Sequence, residues 1–234
     1  MVTDFILRRE HALSKEVCDK LITLFEESTD LHYNGVVGRT STEDEEGLFT
    51  GALDEIKKST DMTFGPQMLD DPIWGDILKE EIIPVLESAI EDYKRYWYVG
   101  CDNIDKFVIS TFFNLQRYNP EEGYKVFHCE RCNNQFYNRT HAWLIYLNDV
   151  EVGGETEFYY QQHFERAEAG KLVAWPADFT HMHRGIVAPN ETKYVLTGWF
   201  GFEGMLPIEY EDGSKPTLYV DERSHLIIMD EKDD

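Results

Sequence analysis

From residue 106 onward, turn-forming residues cut the chain into short segments rich in aromatic and β-branched residues, and this pattern limits the fold most. The segments are Phe107–Tyr118, His141–Leu147, Glu155–Tyr160, Lys171–Trp175 and Lys193–Phe202. Between them stand Asn119-Pro120, Gly153-Gly154, Ala169-Gly170, Pro176 and Pro189-Asn190. Runs this short, broken by residues that favour turns, read as strands of a sandwich or barrel. Aromatic residues make up 14% of the chain, with 13 Tyr and 14 Phe. That load favours sheets and a lined cavity over a helical bundle.

The N-terminal part has a helical period instead. Ser14 reads as an N-cap, Glu16 lies in the first turn, and Val17, Leu21, Leu24 and Phe25 share one face. The spacing predicts an amphipathic helix of about three turns. A second helical region covers 72–97, with Leu78, Ile82, Val85, Leu86 and Ala89 as its apolar stripe. Pro84 within it predicts a kink or a restart, because proline has no N–H to donate. Asn34 to Thr63, which contains Glu43-Asp44-Glu45-Glu46, reads as a mobile, solvated loop. Helices first and strands later predict an α+β fold, and 234 residues suit one domain. The expected division is 1–105 for helical support and loop, 106–203 for the β core, and 204–234 for a C-terminal extension with a frayed end at Asp230–Asp234.

The formal net charge of −23 argues against a nucleic-acid or anionic membrane partner, since both require Lys and Arg to displace counterions. Four cysteines are too few for a disulfide framework, and no apolar run reaches membrane-spanning length. Met1 to Glu10 lacks the apolar core of a signal peptide, so the expected location is cytoplasmic.

Two short stretches carry chemistry, His128-Cys129-Glu130 and His181-Met182-His183. On a strand, residues two apart share a side, so His128 and Glu130 can converge on one interior point. A second imidazole from a distant strand would complete two histidines and a carboxylate, a set that leaves positions open on iron(II). Lys193 follows His183 by ten residues, and alternation puts it with Val195, Thr197 and Trp199 on one face. An inward lysine needs an anion, whereas the reversed register would put Lys193 on the surface, and spacing alone permits both. Cys129 and Cys132 form a C-x-x-C without a second pair, so they read as ordinary residues rather than zinc ligands.

Leu115-Gln116-Arg117-Tyr118, Gly123-Tyr124, His128-Cys129-Glu130, Tyr146-Leu147-Asn148, Gly153-Gly154-Glu155-Thr156-Glu157-Phe158, and His183 with Lys193 and Trp199 occur in this order. Together they resemble the prolyl 4-hydroxylase-like iron(II)/2-oxoglutarate-dependent dioxygenase family. The resemblance implies a double-stranded β-helix (jelly-roll) core with N-terminal supporting helices. It implies iron(II), 2-oxoglutarate as cosubstrate and dioxygen, with ascorbate as a candidate accessory. His128, Glu130 and His183 would be the metal ligands. Lys193, helped by Tyr146, would hold the distal carboxylate of 2-oxoglutarate, and Tyr118 would hydrogen-bond the cosubstrate beside the metal. Thr197 and Trp199 would complete the inner wall. The implied reaction hydroxylates a prolyl residue of a peptide or protein while 2-oxoglutarate becomes succinate. Another side chain, a free amino acid or a small metabolite is the alternative substrate, and an inactive β-helix binding module is the non-enzymatic alternative. The sequence departs from the family at Glu130, where aspartate is usual; the longer side chain predicts a shifted strand or rotamer and weaker iron binding. The ten-residue spacing to Lys193 favours His183 over His181 as ligand, leaving His181 behind the ligands, facing substrate, or on the surface.

Overall fold

A computed structural model describes residues 3–35, 53–101, 103–132, 136–203, 217–220 and 226–229, with backbone alone for 53–54 and the last two segments. In chain order, β1 (Leu7–Arg9) leads into α1 (Lys15–Glu27), whose Ser14 hydroxyl accepts a hydrogen bond from the Val17 N–H at 3.2 Å. Leu21 and Phe25 of α1 are fully buried, as the stripe predicts. A single 3₁₀ turn (Thr29–Leu31) and β2 (Tyr33–Asn34) follow. Next come α2 (Leu53–Ile56), β3 (Lys57–Lys58) and β4 (Thr60–Phe64). Part of the stretch expected to be a loop is therefore paired strand, while the acidic run 43–46 lies outside the described residues.

The second helical region is assembled in pieces: α3 (Gly75–Ile77), a π turn (Leu78–Ile82) and α4 (Ile83–Trp97). Pro84 sits in the first turn of α4, where its missing N–H costs nothing. The Ile83 N–H reaches back five residues to the Leu78 carbonyl, so the restart is absorbed as a widened turn.

The β part begins with β5 (Phe107–Ile109), β6 (Phe113–Tyr118) and β7 (Gly123–Tyr124). It continues with β8 (His141–Tyr146), β9 (Thr156–Phe158), β10 (His163–Glu165) and β11 (Leu172–Pro176). β12 (His183–Gly185) and β13 (Lys193–Phe202) complete it, and β14 (Thr217–Val220) and β15 (Leu226–Met229) form a separate pair. The large antiparallel sheet runs β1-β11-β8-β13-β6-β4-β2, with β5 also on β13. A second sheet runs β10-β9-β12. β1 and β10 carry charged residues in three-residue segments, too short for a period to declare itself.

Two cores result. One packs Leu21, Phe25, Leu86 and Ile90 of the helices against Leu115, Trp143, Leu196 and Phe200 on one face of the large sheet. The other lies between the sheets and holds Tyr118, Tyr146, Phe158, Trp175 and Val195. β13 serves both, because its even-numbered side chains face the helices and its odd-numbered ones face the jelly-roll interior. Lys193 is thereby turned inward and is 5% exposed. Among the described residues no helix is long and apolar enough to cross a membrane.

The turn before β11 ties the helical layer to the sheet. Gly170 has φ +80°, its N–H donates to the Tyr146 carbonyl, and its carbonyl accepts from Leu13. A Cβ there would lie 2.1 Å from the Leu13 carbonyl oxygen. Gly170→Ala is expected to cost at least ~2 kcal/mol, adding overlap to left-handed strain. Gly100 has φ +75° with nothing near its missing Cβ, so Gly100→Ala should cost only the strain, ~1 kcal/mol. Urea unfolding of the two variants checks the difference.

Candidate active site

His128 and His183 are joined by an antiparallel bridge, with reciprocal N–H to carbonyl hydrogen bonds of 3.0 and 2.9 Å. His128 belongs to no longer strand, contrary to the sequence expectation: after it the chain turns, and the Glu130 and Arg131 N–H groups both donate to the Ala177 carbonyl. The turn lets Glu130 approach both histidines. Its Oε1 lies 3.4 Å from Nε2 of His128 and 3.4 Å from Nε2 of His183. Among the described residues these three form the group able to hold a metal ion, with ligand atoms all within 4.8 Å of one another. Neither Cys129 nor Cys132 joins them.

Both rings are oriented from behind. Nδ1 of His128 donates to the Val126 carbonyl at 3.0 Å, and Nδ1 of His183 donates to the His181 carbonyl at 2.9 Å. A carbonyl can only accept, so in each neutral ring the lone pair is on Nε2 and points at Glu130. Tyr124 stacks on His128 at 3.6 Å and 9°, while Trp175 and Phe158 pack around His183. Burial, reinforced by His128, lowers the proton affinity of His183. Burial would raise the Glu130 carboxyl, but hydrogen bonds and positive charge from His128 and His183, when these carry a proton toward it, outweigh this and hold it well below the usual carboxylate range. Two lone pairs and an anionic oxygen facing one another are repulsive without a cation between them. Two imidazole nitrogens and one carboxylate oxygen suit iron(II) and leave positions open, so the residues fit that metal.

Lys193 sits deeper in the interior. Its Nζ donates to the Gly154 carbonyl at 3.1 Å, and the Tyr118 ring lies 5.1 Å away. It makes no ion pair among the described residues, and burial pulls its pKa down to about 8. A Cβ on Gly185 would lie 3.7 Å from Nζ, so Gly185 borders the Lys193 head. Tyr146 is fully buried and its hydroxyl contacts Thr156 Oγ1 at 2.6 Å. The Tyr118 hydroxyl donates to Gln116 Oε1 at 2.7 Å, and Thr197 Oγ1 donates to the Trp143 carbonyl at 3.0 Å. Trp199 Nε1 donates to Glu130 Oε2 at 2.9 Å.

His181 is a correction. It ends a 3₁₀ turn (Phe179–His181) rather than sharing a strand with His183. Its side chain is 3% exposed, with Nε2 on the Asp4 carbonyl and Nδ1 beside Thr180 Oγ1. Its buried ring is hydrogen-bonded to the N-terminal segment, and its carbonyl stands behind the His183 ring.

The sequence reading missed Arg139, whose Nη1 lies 3.3 Å from Glu130 Oε2 and whose guanidinium stacks 3.4 Å over Trp199. It also missed a buried chain behind Tyr118. Gln116 Nε2 donates to Asp61 Oδ2 at 2.9 Å, and Asp61 also receives Lys57 at 2.7 Å and Ser59 at 2.6 Å. Lys57, Ser59 and Asp61 lie in the stretch expected to be a loop, and an inward-facing carboxylate has no signature in hydrophobic period.

Residues 113–201 match the family model of the 2OG-Fe(II) oxygenase superfamily. No curated protein matches the sequence as a relative. Three solved structures share the fold. A prolyl hydroxylase from Trichoplax adhaerens, in complex with a hypoxia inducible factor oxygen degradation domain peptide fragment, superposes with TM-score 0.63 at 16% identity, over 86% of this chain and 85% of that one. A Pseudomonas putida prolyl-4-hydroxylase gives 0.60 at 15%, over 86% and 95%. The viral collagen prolyl hydroxylase of Paramecium bursaria Chlorella virus-1, in its 2OG complex, gives 0.56 at 15%, over 85% and 96%. Residues 113–201 thus carry the pattern of the 2OG-Fe(II) oxygenase superfamily, and the described architecture around them is the jelly-roll fold that these prolyl hydroxylases share.

Proposed function

We propose that the enzyme hydroxylates a prolyl residue in a peptide or protein, with iron(II) held by His128, Glu130 and His183. The observation that carries the metal assignment is the convergence of two imidazole Nε2 atoms and one carboxylate oxygen, each ring fixed by a backbone carbonyl. The prolyl assignment is supported by the fold's likeness to three prolyl hydroxylases, one of them bound to a peptide.

When bound, iron(II) with 2-oxoglutarate and dioxygen would supply oxidative decarboxylation to succinate and carbon dioxide, one oxygen atom entering succinate and the other a substrate C–H bond. The chain's own work is binding, orientation and exclusion of water. Lys193 receives the distal carboxylate, replacing its bond to the uncharged Gly154 carbonyl by an ion pair. Tyr146 and Thr156, whose hydroxyls are in contact, would supply its neutral donors. Tyr118 walls the pocket with its ring against the Lys193 ammonium. Phe158 and Trp175 keep the His183 side dry, which strengthens every charge interaction there.

The deciding experiment supplies purified protein with iron(II), 2-oxoglutarate and proline-containing peptides. The expected outcome is a peptide gaining one oxygen atom, succinate in matching amount, and loss of iron binding and turnover in His183→Ala. Succinate formation with unmodified peptides, but with a modified free amino acid or metabolite, would overturn the prolyl assignment and keep the dioxygenase. Failure of the parent protein to bind iron(II) would remove the metal reading.

Lys193 gives a second test. Only its protonated form attracts a dicarboxylate, and burial lowers its pKa to about 8 in the absence of that anion. Affinity for 2-oxoglutarate is therefore expected to be flat below that value and to fall roughly tenfold per pH unit above it, until the shift on binding is exhausted. Lys193→Met should remove this dependence and weaken binding by roughly tenfold to a hundredfold. Calorimetric titrations across pH check both.

A further inference from the structure

Glu130 has one more rotatable bond than an aspartate, and the structure removes that freedom from outside. Its two oxygens are treated differently. Oε1 faces the histidine nitrogens at 3.4 Å each. Oε2 faces away from them, receiving the Trp199 indole N–H at 2.9 Å and lying 3.3 Å from Arg139 Nη1. Arg139 Nη1 also contacts the Glu130 backbone carbonyl at 3.3 Å, so it touches both ends of the residue. The guanidinium is packed between the Trp199 ring at 3.4 Å and the Phe136 ring at 3.9 Å, and it cannot follow the carboxylate if that group rotates. Trp199 belongs to β13 and Arg139 to the segment before β8, so neither donor moves with Glu130.

A carboxylate can hold a divalent cation through one oxygen or both. If Oε2 reached the ion, it would take a position that a chelating cosubstrate or dioxygen needs. We propose that Arg139 and Trp199 are positioning residues that confine Glu130 to ligation through Oε1 and so keep the adjoining metal positions open, a role that rests on the metal reading above. Arg139 suits the task because it adds a positive charge next to Oε2, away from the histidine nitrogens. A guanidinium stays charged at neutral pH. Trp199 suits it because an indole N–H donates one directed bond and carries no charge of its own.

Mn(II) is the probe for the test. Water-proton relaxation reads how many exchangeable waters the bound ion keeps, and 2-oxoglutarate is titrated onto the Mn(II)-loaded protein. Trp199→Phe removes the N–H and keeps a ring; Arg139→Met removes the charge and keeps an unbranched apolar stem. Both variants are expected to hold Mn(II) within about threefold of the parent and to bind 2-oxoglutarate about tenfold more weakly. Their bound ion should carry fewer exchangeable waters, since Oε2 takes a water's place. Arg139→Lys, which keeps charge without the planar fork, should restore the water count only in part. If Arg139→Met fails to fold, Trp199→Phe carries the test, with thermal unfolding of the metal-free protein as control. Variants matching a metal-binding parent in water count and 2-oxoglutarate affinity would overturn the clamp alone. A parent that binds no Mn(II) would overturn the metal reading and the clamp with it.

Discussion

Three electron-rich atoms, Nε2 of His128, Nε2 of His183 and Oε1 of Glu130, are held face to face in a largely buried space. Left to themselves, side chains in this position would rotate apart or take up protons. The surrounding structure opposes that motion at several points. The bridge between His128 and His183 fixes the two backbones, carbonyl acceptors fix the ring tautomers, and stacked aromatic rings fix their planes. The N–H bond from Glu130 to Ala177 fixes the third ligand's backbone. Order built against a local repulsion needs support from the rest of the fold, and at functional sites that support serves the ligand the site awaits.

β13 supplies much of it. Its ten residues pair with β8 and β6 and, at the far end, with β5, so its side-chain directions are set by hydrogen bonds on both edges. A one-residue slip would send Lys193 and Trp199 to the helical core and bring Tyr194 and Leu196 inside. The helices that cover its other face contribute to function in this sense: Leu21, Phe25 and Leu86 pack in the same core as Leu196 and Phe200, which holds the register that aims Lys193 inward.

This explains which parts were legible in the sequence. The strands at 113–118, 141–146 and 193–202 announce themselves because one face is buried and alternation survives. Lys193 points inward as that alternation predicts, whereas His128, Glu130 and His183 were picked out by an ordered set of motifs: the strand argument for His128 and Glu130 fails, since a turn after His128 brings Glu130 to the histidines. Arg139 was not legible, since its role depends on a segment folding back over Trp199 from 60 residues away in the chain. β4 was hidden for a different reason: Asp61 is polar at an inward position, satisfied by Lys57, Ser59 and Gln116, and a satisfied buried carboxylate looks like a loop residue in a one-dimensional reading. His181 and His183 could be separated only by the turn that ends between them.

The buried charges of the interior divide by how they are compensated. Glu165, 2% exposed, is met by Arg8, by Lys171 at 3.2 Å and by His163 at 2.6 Å. Asp61, also 2% exposed, is met by Lys57. Both carboxylates are satisfied by the chain itself, so their roles can be structural. Glu130 differs, because Arg139 and Trp199 answer one oxygen while the other faces the two imidazoles. Lys193 differs in the opposite sense, a buried cation bonded to a carbonyl. Burying an unanswered charge costs several kcal/mol, about as much as a large share of a domain's net stability. Two such residues of opposite sign, both reached from the jelly-roll interior, describe the missing occupants by their charge. One position calls for a cation with room for further ligands, and the other calls for a carboxylate. On the proposed function, 2-oxoglutarate with one end toward the metal and the other at Lys193 would answer both with a single small molecule.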